Sequence, residues 1–304
     1  MIPDIYIAAI ITSTLSLVFI GGILFSRSPR EQRPFLGLLL LLMLPMNPLA
    51  FHLVRMPIDA CLSSLLGPQS HLHEFIRTLY APLTEEPAKL WPLLIPLIYR
   101  RAKAIPLHRV AFAIGIGFGI GETWTVASLL AKSPEIAKYP WYMLSGYMSE
   151  RMMVCVIHSA FTASALALAL KHRRIVLGIL ACMFLHFIGN FPIFLAGKNA
   201  FGLGPKAWQA VLSIWVLIYF LTMGSFLAYL AFGKQWFRNI VRGRTTCPEC
   251  KQKYEHPIFG VNLIHKRYER CPHCQHWHMV SAFDEEQNEA NNSMQATPNG
   301  APDG

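Results

Sequence analysis

Seven apolar runs, each about 20 residues long, dominate this chain of 304 residues. A run of about 20 apolar residues is long enough to cross the hydrocarbon of a bilayer as a helix. The sequence therefore predicts an all-α integral membrane bundle with about seven transmembrane helices. The runs cover residues 5–25, 35–54, 80–99, 110–131, 147–170, 175–196 and 207–232.

Composition indicates that lipid is the main solvent of the chain. Hydrophobic residues make up 53% of it and charged residues only 14%, whereas soluble domains carry about 25% charged residues. The net charge of +10 comes from cations between the apolar runs and after the last one. This placement is more typical of membrane topology than of nucleic-acid binding. The N-terminus does not resemble a signal peptide, because it carries the acidic Asp4 and no basic leader.

Arginine and lysine are concentrated in every second loop, which predicts the orientation of the chain. Cytoplasmic loops of membrane proteins carry the excess of these cations. We therefore expect a multi-pass protein of the plasma (inner) membrane, with its N-terminus outside and its C-terminus in the cytoplasm. The cations in the loops after runs one, three and five are Arg27, Arg30, Arg33, Arg100, Arg101, Lys103, Lys171, Arg173 and Arg174.

The remaining segments divide the chain. Residues 55–78 are too polar to cross and are expected at the surface. After a transmembrane domain at 1–233, residues 234–246 alternate apolar and cationic side chains, which is typical of a helix on an anionic inner leaflet. An ordinary basic stop-transfer flank has the same composition. A cysteine-containing module is expected at 247–283, and the tail at 284–304, rich in Asn, Glu, Pro and Gly, is expected to be disordered.

A set of ionisable and amide side chains interrupts four of the apolar runs. Such groups are costly inside a membrane and usually mark function. Counted at 1.5 Å per residue, the three glutamates, the two histidines and the asparagine fall in one slab roughly 8–16 Å below the outer face. We therefore expect them to meet in one polar site inside the bilayer. They are Glu85, Glu86, Lys89, Glu122, His158, His186 and Asn190.

Helical spacing predicts which of these groups share a face. Lys89 follows Glu85 by four residues and Glu86 by three, so it can pair with either. Thr84 is expected either to cap a helix that begins just before the glutamates, or to precede a kink at Pro87.

Two further patterns concern the next helices. Four residues of the fifth run lie on one stripe at i, i+4, i+7 and i+11: Arg151, Cys155, His158 and Thr162. Alternate glycines at positions 115, 117, 119 and 121 precede Glu122. Small residues let membrane helices approach closely, which would bring Glu122 near its partners.

Carboxylates and imidazoles in one sheltered pocket are suited to the activation of water. A carboxylate can act first as a base and then as an acid, while imidazoles and an amide stabilise the oxyanion of an attacked carbonyl. Two histidines with one or two glutamates also make a plausible catalytic zinc set. The sequence does not decide between these mechanisms. A purely structural polar core and a proton-coupled transport pathway use the same residue types.

These residues also carry a resemblance to a known family. Residues 85–89, Glu-Glu-Pro-Ala-Lys, are similar to the Glu-Glu-x-x-Lys motif of the PrsW family of bacterial intramembrane proteases. Residues 118–122 resemble its Phe-x-x-x-Glu motif, and His158 and residues 186–190, which end in Asn190, resemble its third and fourth elements. The related CAAX prenyl endopeptidases have arginine one position later and histidine in place of Glu122.

The resemblance covers roughly residues 75–195. It implies a helical membrane protease that cuts membrane-anchored proteins, such as anti-sigma factors, near the outer face. By this match Glu85 and Glu86 are the candidates for water activation, and Glu122, His158 and His186 complete the site. The alternative from another class is a non-proteolytic membrane protein, either a proton-coupled transporter or a catalytically inactive scaffold.

The seven cysteines fall into two groups. Cys247, Cys250, Cys271 and Cys274 form two C-x-x-C pairs 20 residues apart, the spacing of a zinc ribbon with a closed structural Zn²⁺ site. A disulfide pair is the alternative, although a cytoplasmic location is reducing. A nearby histidine substituting for one cysteine is a further option, from among His273, His276 and His278. The ribbon is basic, and its partner, a protein or a nucleic acid, is open. The single cysteines, Cys61, Cys155 and Cys182, are expected to be small buried hydrophobes.

Overall fold

The computed structural model describes residues 3–67, 70–171, 174–257, 260–263 and 266–281, with the backbone alone for residues 171, 232–242 and 262. It is mostly helical and divides into two compact units, Met1–Ala231 and Phe232–Gly304. The predicted tail at 284–304 lies outside the described residues.

Eight helices form the described part of the first unit and lead into the second. They are α1 (Asp4–Ser26), α2 (Arg33–Leu66), α3 (His71–Leu90), α4 (Pro96–Lys103), α5 (Leu107–Leu130), α6 (Ser145–Leu170), α7 (Ile175–Gly197) and α8 (Pro205–Arg242). By length and apolar composition, six of them are able to span a membrane: α1, α2, α5, α6, α7 and the Pro205–Ala231 part of α8. The chain is therefore a helical membrane protein by these criteria.

The second helix is longer than its predicted span, 35–54. It continues to Leu66, into the segment that was expected to be a polar surface stretch. A π-helical turn at Ala50–Arg55 lies between Pro48 and Pro57. Wide turns of this kind absorb residues that cannot make the regular α-helical hydrogen bond, so the helix does not stop at its prolines.

The third predicted span, 80–99, is not one continuous helix. α3 begins at His71 and ends at Leu90, a 3₁₀ turn covers Trp91–Leu94, and α4 starts at Pro96. Pro92 and Pro96 have no backbone donors, which explains the break. The proposed capping role of Thr84 is wrong, because its hydroxyl donates to the carbonyl of Tyr80 within α3, 2.6 Å away. α3 continues through Pro87, so the kink expected there would lie within the helix and does not end it.

The central helix of the first unit is α5, and its alternate glycines face two different neighbours. A Cβ atom on Gly115 or Gly119 would lie within 3 Å of Ser159 or Cys155 on α6. A Cβ atom on Gly117 or Gly121 would lie 2.3 or 2.2 Å from a backbone oxygen of α2. The expected close approach of helices at these glycines is therefore present, and it involves backbone on both sides.

The second unit contains short antiparallel strands. β1 (Arg244–Thr246) pairs with β2 (Lys253–Glu255), and β3 (Gly260–Leu263), β4 (Lys266–Arg270) and β5 (Trp277–Ser281) form a sheet in the order β3-β4-β5. α8 ends at Arg242, so β1 occupies the end of the predicted linker 234–246. The amphipathic character proposed for that linker lies mostly in side chains outside the described ones.

Candidate functional site

The polar residues predicted inside the apolar runs meet at one place in the first unit. α3 supplies Glu85, Glu86 and Lys89, α5 supplies Glu122, α6 supplies His158, and α7 supplies His186 and Asn190. Glu85, Glu86, Lys89, His158 and His186 are buried, and the side chain of Glu122 is 20% exposed. Residues separated by up to 105 positions therefore form one cluster.

Lys89 lies at the centre of this cluster. Its Nζ donates to Glu86 Oε1 at 2.5 Å and lies 2.7 Å from His158 Nδ1. The same ammonium is 4.8 Å from the ring centre of Phe118 and 5.4 Å from that of Phe161. Because an ammonium has donors only, His158 Nδ1 must accept from it. Two aromatic faces and a carboxylate thus compensate a fully buried charge.

The tautomer of His158 follows from that contact. With Nδ1 accepting, Nε2 carries the hydrogen and donates to Glu122 Oε2 at 2.5 Å. Glu122 Oε1 also accepts from Arg151 Nη1 at 2.8 Å, and Arg151 is held by Glu150 in turn. Both oxygens of Glu122 are therefore engaged, which favours its ionised form. Arg151 and His158 reach the site from the predicted stripe on α6.

The two adjacent glutamates have different surroundings. Glu86 Oε1 accepts from Lys89 and from His186 Nδ1, at 2.5 Å each. Glu85 lies at looser distances: its Oε2 is 4.0 Å from His186 Nε2, and its Oε1 is 3.9 Å from Arg55 Nη1. Among the described residues, Glu85 Oε2 has no hydrogen-bond partner although it is buried. Glu86 is therefore fixed in place, whereas Glu85 has a free oxygen to offer.

A polar cavity of about 470 Å³ reaches this free carboxylate. Its walls include Glu85, Glu122, His186 and Asn190, with α7 residues on one side. Four cations and an acid also line it: Arg55, Arg77, Arg151, Lys198 and Glu74, of which the last two form an ion pair. The cavity is large enough for water and a short peptide segment.

Sequence reasoning missed Arg55, Trp215 and Tyr219, which also border the site. Arg55 was placed in a surface segment, and only its position on the long helix α2 brings it within 3.9 Å of Glu85. Trp215 and Tyr219 lie four residues apart on α8, a spacing that any apolar helix face shows, so no distinctive signal in the sequence marked them. Of the single cysteines, Cys155 and Cys182 are buried as expected, but Cys61 is exposed, because its part of α2 has no buried residue.

The site contains three side chains whose donor atoms lie within 4.8 Å of one another, those of Glu85, Glu122 and His158. A tetrahedral zinc ion with ligands at about 2.1 Å keeps its donor atoms about 3.4 Å apart. His158 Nε2 and Glu122 Oε2 are only 2.5 Å apart, the distance of a charge-assisted hydrogen bond. An ion would have to open this bond by about 1 Å, so the spacing fits a direct hydrogen bond better than a metal.

The four cysteines of the second unit have donor atoms that are spaced more widely than those of His158 and Glu122. Their Sγ atoms also lie within 4.8 Å of one another, with 3.6 Å between Cys247 and Cys274 and 3.8 Å between Cys250 and Cys271. Zinc–sulfur bonds of about 2.3 Å predict about 3.8 Å between thiolates in a tetrahedral site, whereas a disulfide requires about 2.05 Å. The cluster therefore fits a metal ion, and the disulfide alternative does not fit.

Backbone donors support this cluster. Burial opposes ionisation of Cys247, but the N–H groups of Cys250 and Glu249 lower its pKa to about 7. The N–H of His273 likewise points to Cys271 Sγ at 3.4 Å. Among the nearby histidines, His278 Nδ1 is 3.9 Å from Cys247 Sγ and its Nε2 is bonded to Tyr254. It lies outside the thiolate cluster, so the four cysteines are the better ligand set.

A buried ionic group stabilises the same unit. Glu269, which is fully buried, accepts from Arg267 Nε at 2.5 Å and bonds to His256 Nδ1 at 2.8 Å. Burial by itself raises the pKa of Glu269, but hydrogen bonds from His256, Tyr254 and Arg267 hold it below its usual range. This carboxylate therefore remains ionised at neutral pH.

Comparison with known proteins adds no family to these observations. No protein-family model, no curated protein and no solved structure matches the chain. The function is therefore argued from the site itself.

Proposed function

We propose that this protein is an intramembrane endopeptidase that hydrolyses peptide bonds of membrane-anchored proteins. The observation that carries the proposal is a buried oxygen of Glu85 that has no hydrogen-bond partner among the described residues. Glu85 lines a polar cavity, beside a hydrogen-bonded set of acids and imidazoles. The motifs that resemble PrsW proteases contribute these same residues. In this proposal α3 is the seventh membrane helix, because its ionic groups are compensated by α5, α6 and α7.

Glu85 is the base in the proposed reaction. Its carboxylate removes a proton from water while the water oxygen forms a bond to the carbonyl carbon of the substrate. Asn190 and Arg151, which border the cavity, are placed to donate to the resulting oxyanion. Glu85 then gives its proton to the amide nitrogen, the C–N bond breaks, and an amine and a carboxylic acid leave.

The other buried groups position this chemistry. Glu86 orients His186 through Nδ1, so that Nε2 of the ring faces Glu85. Lys89 neutralises Glu86 and fixes the tautomer of His158, which in turn holds Glu122. Such a fixed set of charges around the cavity needs no reorganisation during the reaction.

The proposed mechanism uses glutamate and not a bound metal, because of the 2.5 Å contact between His158 and Glu122. For the second unit we propose a zinc ribbon with a structural Zn²⁺ ion held by Cys247, Cys250, Cys271 and Cys274. The proposed location is the plasma (inner) membrane, with the N-terminus outside and the ribbon in the cytoplasm. Anti-sigma factors, whose cleavage the resemblance implies, are candidate substrates.

The decisive experiment measures cleavage of a membrane-anchored reporter in proteoliposomes. The variants Glu85→Gln and Glu122→Gln are expected to lose at least about a hundredfold in rate, as removal of a base or of its charge set does. Glu135→Gln is the matched control, because Glu135 forms an exposed ion pair with Lys138 away from the site. Retained folding of each variant is checked by thermal unfolding in detergent.

The same proteoliposomes test the alternative. A chain of hydrogen-bonded titratable groups is also what a proton pathway needs. If the wild type cuts no reporter but acidifies the vesicle lumen in a Glu85-dependent way, the protein is a proton-coupled transporter. If the wild type does neither, it is an inactive scaffold, and the endopeptidase proposal is wrong.

A further inference from the structure

A second, smaller cavity of about 80 Å³ lies beside the site, between α6, α7 and α8. We refer to it as the side-chain pocket. It shares Glu122, Arg151, His186 and Asn190 with the large polar cavity, so the two spaces meet at these residues. Away from them, the walls of the side-chain pocket are largely apolar.

Three helices build those apolar walls. α6 contributes Val154, Ile157 and Phe161, which lie at i, i+3 and i+7 on one face. α8 contributes Trp215 and Tyr219, stacked at 5.6 Å between ring centres with an angle of 19°. Phe161 stacks on the ring of His186 at 5.2 Å, so the apolar wall extends directly to the polar site.

Hydrogen bonds hold the aromatic wall in position. Trp215 Nε1 donates to the carbonyl of Gly189 at 3.1 Å, and the Tyr219 hydroxyl donates to the carbonyl of Leu185 at 2.6 Å. A Cβ atom on Gly189 would lie 3.0 Å from the Tyr219 ring, so the ring packs directly on the α7 backbone. A rotamer change of either aromatic residue would break its hydrogen bond to α7, so these contacts hold the wall of the pocket in place.

We propose that the side-chain pocket binds one substrate side chain next to the scissile peptide bond and accepts small aliphatic side chains. This inference rests on the proposed function and specifies its substrate class. A cavity of about 150 Å³ lined by apolar residues accommodates benzene. The side-chain pocket has about half that volume. Alanine and valine side chains therefore fit, phenylalanine and tryptophan do not, and Trp215 is the residue that sets the limit.

The first test measures specificity in proteoliposomes with full-length protein. The cut position in a reporter with an alanine-rich membrane segment is mapped by mass spectrometry, and each flanking residue is then replaced by phenylalanine. At one flanking position, phenylalanine is expected to lower kcat/KM by about tenfold or more in the wild type. Trp215→Ala is expected to bring the phenylalanine reporter within about threefold of the alanine reporter.

Trp208→Ala is the matched control, because Trp208 is a buried tryptophan on the same helix that does not border the pocket. It is expected to keep the wild-type preference. Equal cleavage of the alanine and phenylalanine reporters by the wild type would overturn the inference and leave the endopeptidase proposal standing. The same holds if Trp215→Ala and Trp208→Ala change the preference equally.

The second test needs no catalysis. The Glu85→Gln protein is irradiated with a reporter that carries photo-leucine in its membrane segment, and the cross-linked residues are identified. Cross-links to Trp215 or Ile157, competed by an alanine-rich peptide but not by a phenylalanine-rich one, support the pocket even if no reporter is cut. Cross-links confined to the exposed outer face of α8, at Ile214 and Leu217, would overturn it.

Discussion

The two units each contain a cluster of side chains able to bind a metal, and the clusters differ in spacing and in donor type. In the first unit, acids, imidazoles, a lysine and an arginine neutralise one another through contacts of 2.5–2.8 Å. In the second, four cysteine sulfurs lie 3.6–3.8 Å apart in two measured pairs. The first set is complete without an ion, whereas thiolates repel one another and need one. Donor spacing therefore distinguishes the four-cysteine cluster, which fits a metal ion, from the hydrogen-bonded set of the first unit. We call that set the membrane cluster: Glu85, Glu86, Lys89, Glu122, Arg151, His158 and His186.

The largest predicted effect is loss of the zinc ion proposed for the four-cysteine cluster. Cys271→Ala is expected to lower the zinc content of purified protein from about one equivalent to near zero and to unfold the second unit, because a structural zinc supplies about 10–16 kcal/mol in small modules. Atomic absorption and hydrogen exchange measure the two effects. His276→Ala, which changes an exposed histidine, is the control. One full equivalent of zinc in Cys271→Ala would show that Cys271 is not a required ligand and would contradict the four-cysteine site.

The next effect concerns the charge balance of the membrane cluster. Lys89→Met is expected to destabilise the first unit by about 3–5 kcal/mol, because it leaves Glu86 as an uncompensated buried charge. The double variant Glu86→Gln with Lys89→Met should recover part of this loss. Denaturant unfolding in mixed micelles measures both. Lys138→Met, which removes an exposed pair, should cost less than about 1 kcal/mol. A similarly small loss of unfolding free energy for Lys89→Met would mean that Glu86 does not depend on Lys89 for charge compensation.

A smaller effect tests whether helix approach sets the geometry of the membrane cluster. Gly117→Ala is expected to cost about 1–3 kcal/mol, because its Cβ would lie 2.3 Å from the Leu40 carbonyl oxygen, and backbone has to move. Gly37→Ala is the matched control: it lies in α2 with nothing within 4 Å of a Cβ. Thermal unfolding compares the two. Equal melting temperatures would show that α2 and α5 have room to separate.

The smallest expected effect is that of a chelator on cleavage. In the zinc-free Cys271→Ala protein, chelation is expected to change the cleavage rate by less than about twofold, since the proposed base is a carboxylate and not a metal-bound water. Reporter cleavage before and after dialysis against chelator gives the answer. A loss of tenfold or more that added zinc restores would assign an ion to Glu85, Glu122 and His158.

Much of the membrane cluster follows from local periodicity. Helical spacing placed Arg151, Cys155, His158 and Thr162 on one face, and all four are buried. Counting residues from the ends of the apolar runs predicted one depth for six of the polar groups, and the structure brings these six to one place. The two C-x-x-C pairs likewise specified the four-cysteine cluster, since their spacing is short and the ligand type is distinctive.

Other features depend on contacts that no local pattern contains. The length of α2 depends on a π-helical turn, so the approach of Arg55 to Glu85 was not foreseeable. The end of α3 near Leu90 was hidden within an apolar run, although Pro92 and Pro96 were a usable signal. Trp215 and Tyr219 are ordinary apolar positions of α8 until their hydrogen bonds to α7 are seen.

The glycine contacts of α5 imply that bilayer thickness affects the site unequally. In α5, 78% of the most apolar 18-residue stretch is buried inside the protein. In α7, the share of the corresponding stretch is only 11%. A thinner or thicker bilayer tilts the helices that face lipid. Glu122 and His158 are anchored through backbone contact between α5 and α6, so we expect their separation to stay nearly constant. His186 lies on α7, so we expect the hydrogen bond that ties it to Glu86 to be the contact most sensitive to lipid chain length.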